Sequence, residues 1–131
     1  MTTTHFQEEK TRLVLDRDML KALTDAVAEQ AENLEINMSY AYQAFNDKAD
    51  YEQIATLRDL RRLYQLLERR LLASSRTCRP KLTLSLPVSY VYLLHQQILF
   101  SFGNHWLQLA INEIDQTIKS YRLSNLLQLR K

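Results

Sequence analysis

Residues 17–45 read RDMLKALTDAVAEQAENLEINMSYAYQAF, and their apolar positions keep helical time. Leu20, Leu23, Val27, Ala31, Leu34, Met38, Tyr42 and Phe45 recur at steps of three and four, which gathers them on one stripe. Asp18, Asp25, Glu29 and Glu32 fall on the opposite face. The stretch predicts one amphipathic helix with an acidic outer edge, roughly 45 Å long at 1.5 Å per residue. Asp16, just ahead of it, suits an N-cap because its carboxylate can accept the free amide protons of the first turn.

The segment NDKAD at 46–50 reads as a turn, and a second helix is expected from Tyr51 to about Ala73. Leu57, Leu60, Tyr64, Leu67 and Leu71 occupy a and d positions of a heptad. Arg58, Arg62 and Arg69 line the outer face of this helix. Leu63, Leu66 and Leu72 lie off the seam, which makes the helix apolar on more than one side. The segment SSRTCRPK at 74–81 is poor in helix formers and reads as a loop.

Two short alternating stretches, near 11–15 and 82–86, are strand candidates. Pro87 follows the second at a place suited to a helical first turn. A third helix is expected from Pro87 toward Tyr121, with a change of face around Gly103 and Asn104. Val91, Leu94, Ile98, Phe102 and Leu109 share one face, and Leu107, Ile111, Ile114, Ile118 and Tyr121 another. The helix either breaks there or continues and buries both faces.

An internal echo bears on that choice. Leu13 and Leu15 followed by Leu20, Leu23, Val27, Ala31 and Met38 match Leu84 and Leu86 followed by Val91, Leu94, Ile98, Phe102 and Leu109 at a constant offset of 71. The first helix has no break at the equivalent place, so the echo favours a continuous third helix. It also favours pairing of the two strands.

The fold expected is mainly α: a bundle of three long helices, or four if the third breaks at Gly103, with a two-stranded ribbon. The 131 residues suffice for one domain, with residues 1–10 and 123–131 as flexible or partner-docked tails. A single glycine and two prolines leave little material for tight turns. The lone Cys78 cannot build a disulfide framework, and residues 1–10, MTTTHFQEEK, lack the pattern of a signal peptide. No apolar run reaches the ~20 residues of a membrane span. The expected location is the cytoplasm.

No catalytic constellation emerges. The histidines are His5, His95 and His105, and the last two stand ten apart, so they do not share one ion on a helix. His105 is expected at the edge of the core with a hydrogen-bond partner. There is no nucleophile elbow, and one glycine cannot make a phosphate loop. Neither a cofactor nor a metal is expected, no small-molecule substrate is evident, and the chain reads as non-enzymatic.

Charge is the feature left to explain. Residues 1–57 carry 5 basic and 11 acidic side chains, residues 58–81 carry 8 and 2, and the remainder 4 and 2. The basic residues Arg58, Arg62, Arg69, Arg76, Arg79 and Lys81 make a candidate surface for a partner or for phosphates. Arg61 and Arg70 flank the seam of the second helix and are expected to reach Glu29, Glu32 or Glu35 on the first. Leu63, Leu66, Leu72, Ile111, Ile114 and Ile118 are the candidate apolar contacts of an oligomer or partner. The expected function is that of an adaptor or assembly subunit, a homodimer by preference. Non-specific nucleic-acid binding through residues 58–81 is the alternative.

Overall fold

The computed structural model describes residues 9–45, 51–74, 81–98 and 105–129. The elements are β1 (Lys10–Asp16), α1 (Arg17–Phe45), α2 (Tyr51–Ser74), β2 (Lys81–Pro87), α3 (Val88–Ile98) and α4 (His105–Leu129). The two expected strands are present, each slightly longer than the alternation implied. Pro87 closes β2 rather than opening the helix after it.

The third long helix is two helices. His95 Nε2 lies 3.5 Å from the Asp115 carboxylate, and the Arg122 guanidinium lies over the Tyr92 ring, 5.5 Å from its centre. In one straight helix residues 95 and 115 would stand about 30 Å apart. The chain therefore reverses between α3 and α4, and the continuous helix that the echo favours does not exist. The change of apolar face is the mark of that reversal. Val91, Leu94 and Ile98 from α3 and Leu107, Ile111, Ile114 and Ile118 from α4 enter one core from two directions. Gly103 and Asn104 lie outside the described residues, as do Arg76, Cys78, Arg79 and the 46–50 turn. Helix α4 also runs through residues 123–129, part of the expected tail.

Strands β1 and β2 pair antiparallel, with Leu13 opposite Leu84 and Leu15 opposite Leu82. These residues and Leu86 are buried, while Arg12, Val14, Thr83 and Ser85 face outward. The offset of 71 carries Leu13 onto Leu84, and these two are register partners. It also carries Lys10–Asp16 onto Lys81–Pro87 and the start of α1 onto the start of α3. An antiparallel pair has a local two-fold axis, here at Leu13–Leu84, and the two strand–helix segments match about it in sequence and element order. They diverge because α1 runs for 29 residues and α3 for 11.

The amide of Val88 donates to the carbonyl of Glu9 at 2.9 Å, which sets the phase of the ladder. Hydrogen-bonded pairs alternate along an antiparallel ladder, so Thr11, Leu13 and Leu15 bond β2 through their backbone. Lys10, Arg12, Val14 and Asp16 turn theirs outward. On β2 the outward groups are those of Lys81, Thr83, Ser85 and Pro87. Pro87 has no N–H to offer, and the Thr83 carbonyl accepts from Arg70 Nη2 at 3.5 Å. The β2 edge is blunted in this way.

Helices α1 and α2 lie antiparallel as a hairpin. The Arg17 guanidinium donates to the Ser74 carbonyl at its base, and Arg61 bonds Glu35 further out. Leu20, Leu23 and Val27 of α1 and Leu57, Leu60, Leu63 and Leu67 of α2 join the core. Beyond Ala31 no described residue of α1 is fully buried, nor is any of the first six of α2. Among the described residues, full burial thus ends before the tip of the hairpin, though Leu34 and Met38 still pack against the core.

Candidate interaction surface

The apolar residues expected to meet a partner divide sharply. Leu63, Ile111, Ile114 and Ile118 are buried in the chain's own core and have no surface to give. An off-seam leucine or an isoleucine row looks surplus only while the neighbours are unknown. Here α3, α4 and the sheet supply a second wall. Leu66 and Leu72 remain exposed, at 39% and 64%.

The outer face of α2 carries Arg58, Arg62 and Arg69, all exposed and all opposite the buried Leu60, Leu63 and Leu67. Arg58 lies 3.6 Å from Asp59, a loose pair of two partly exposed side chains. Among the described residues no ion pair or hydrogen bond holds the side chains of Arg62 and Arg69. Lys81 is exposed at the start of β2, opposite Asp16.

The seam between the helices takes only one of the two arginines expected there. Arg61 Nη2 meets Glu35 Oε2 at 2.7 Å. Arg70 turns instead to the edge of β2. Both side chains of the Arg61–Glu35 pair are more than half exposed, so it contributes about 0–1 kcal/mol and fixes register more than stability. The Tyr64 hydroxyl is held above the usual phenol range by the negative charge of Glu68, helped by partial burial, a hydrogen bond to Glu68 and the charge of Asp25. Asp25, Glu29 and Glu32 are exposed on the outer face of α1.

Sequence reading passed over a second feature of that outer face. Ile36, Tyr40, Tyr51 and Ile54 are exposed near the hairpin tip, Tyr51 at 91%. A signal was present: Ile36 and Tyr40 continue the helical row of Glu29 and Glu32 with apolar side chains. They are exposed because they sit on the outward side of the helices, whereas Leu34 and Met38 on the inner side of α1 pack against the core.

A groove runs between β1 and α4 as two adjoining hollows of about 450 and 430 Å³, both walled by Glu113 and Gln116. Arg12, Thr117 and Ser120 line one end, Val14, Met19 and Leu109 the other. Nearby, Asp115 is held below the usual carboxylate range by a hydrogen bond from Lys119. Partial burial opposes this, and the charge of Lys119 and proximity of His95 add to it. No group of three His, Cys, Asp or Glu side chains among the described residues could hold a metal ion. His105 is exposed, with its ring edge-on to Trp106 at 5.4 Å, rather than at the edge of the core. As the first residue of α4 it lies beyond the chain reversal, where the offset of 71 no longer relates equivalent positions. No described helix is long and apolar enough to cross a membrane. No protein family matches this chain, and no curated protein or solved structure does either.

Proposed function

We propose that the protein is a non-enzymatic assembly subunit or adaptor whose working surface is the outer face of the α1–α2 hairpin. The observation that carries this reading is the apolar tip. Ile36, Tyr40, Tyr51 and Ile54 are all exposed, on the segments of the two helices nearest the hairpin tip. A cluster of large apolar side chains on a monomer marks a contact surface more often than an accident of packing. The charged rows below the tip supply the polar surround that such surfaces have.

The test is a photo-crosslinking residue placed at Ile36 or Tyr51 in the native cell, with Lys119 on α4 as a control position. Adducts to a protein, a second copy included, are expected at the hairpin and not at the control. Equal labelling at all three positions, or none, would sink the reading.

Nucleic acid is the second reading, favoured by the exposed Arg62 and Arg69, whose side chains no described residue holds. Such a grip would be non-specific and weaken steeply with salt. A labelled duplex and a labelled single strand that both fail to bind at low salt would end it.

A further inference from the structure

The hairpin fixes more than the existence of a contact surface. On α1 the outward row runs Asp25, Glu29, Glu32, Ile36; on α2 it runs Ile54, Arg58, Arg62, Arg69. Both rows point away from the core, so they stand side by side and do not neutralise each other. Among the described residues, the ion pair between α1 and α2 is that of Glu35 and Arg61, turned into the seam.

The rows are also level. Arg17 meets Ser74, Leu34 lines one hollow with Gln53 and Thr56, and Glu35 meets Arg61. Helices rise equally per residue, so interpolation between these points sets Glu29 beside Arg62, Glu32 beside Arg58 and Ile36 beside Ile54.

We propose that two copies of this chain pack hairpin on hairpin about a two-fold axis parallel to the helices, with the acidic row of each α1 on the arginine row of the other's α2. The proposal rests on reading this face as an assembly surface. Rotation about such an axis keeps every residue at its height and exchanges α1 with α2. Acid then meets arginine twice, and Ile36 of each copy meets Ile54 of the other. An axis across the helices would instead lay α1 on α1 and α2 on α2, like charge on like. A two-fold contact must be self-complementary, and of these two arrangements only the first is. The product is a four-helix layer with charged flanks and apolar contacts toward the tip.

The experiment uses the full chain and two variants. One carries Arg58→Glu, Arg62→Glu and Arg69→Glu; the other carries Asp25→Lys, Glu29→Lys and Glu32→Lys. All six positions are exposed, and helical circular dichroism checks each fold. Light scattering should give two chains for the unaltered protein and one for each variant alone. An equimolar mixture should restore a two-chain species holding one of each, weighed by native mass spectrometry. Either variant dimerising alone, or a mixture that stays monomeric, overturns the arrangement. If a reversal variant loses its helical signal, Gln at the same three positions replaces it, and unweakened dimerisation is then the overturning result. A dimer indifferent to all these changes refutes this interface and leaves the assembly reading standing. A monomer that still crosslinks another protein at Ile36 refutes the second copy as occupant and leaves the adaptor reading standing.

Discussion

Asp115 shows how much of this molecule is decided by single side chains that sequence alone cannot pair. It accepts from Lys119 Nζ at 2.8 Å one turn along α4 and faces His95 of α3 at 3.5 Å. The first partner is legible as an i, i+4 pair; the second exists only because the chain reverses between the two helices. The folded carboxyl ionises below its unfolded value, so it contributes stability above the unfolded pKa of about 3.9 and loses it as pH falls through the lower folded pKa. Asp115→Asn should therefore flatten the acid limb of the stability profile, below about pH 4. Urea unfolding followed across that range reads the effect. Arg17 carries a comparable lesson. Its donation to the Ser74 carbonyl satisfies the C-terminal end of α2. No spacing rule connects residues 57 apart.

At the scale of elements the strands are the clearest case. The alternation of Leu13 and Leu15, and of Leu82, Leu84 and Leu86, predicts which side faces the core. It does not say which backbone groups face β2, and the Val88–Glu9 bond does. Thr11 bonds across to β2 while Arg12 points to the open edge. Thr11→Pro should cost about 1–3 kcal/mol more than Arg12→Pro, because it leaves the Leu86 carbonyl short of donors that a neighbouring proline does not touch. Equal denaturation midpoints for the two variants would contradict this phase. The helices were more legible. The stripes of α1 and α2 predict the buried face up to Met38 and from Leu57 on, Tyr42 being exposed, and α1 begins directly after Asp16. The length of α4 was not legible, since apolar periodicity cannot distinguish one helix with two buried faces from two helices folded back on one another.

For the whole molecule the useful contrast lies within α2. Leu60 is wholly buried among residues from several elements, and Leu72 is exposed at 64%. Leu60→Ala should cost about 2–5 kcal/mol, and Leu72→Ala less than about 0.5 kcal/mol. Thermal or urea unfolding of both variants measures the difference. The same contrast explains why Leu63, Ile111, Ile114 and Ile118 could not be assigned correctly in advance. Their apolar character was plain, but whether chain or partner covers them depends on how α3 and α4 fold back. Ile36 and Ile54 are exposed because they lie on the outward faces of α1 and α2, while Leu34 and Met38 on the inner side of α1 pack against the core.

By itself the sequence determined the mainly helical class, the two strands and their inward sides, the acid–base partition and the position of the arginine row. Each follows from local spacing, because the helix and strand periods fix which side chains share a face. Only the tertiary structure decided the chain reversal before α4, the burial of the isoleucine row, the seam pair of Arg61 with Glu35 and the level alignment of the two charged rows. Those depend on which faces meet, and that is set by packing between segments far apart in the chain.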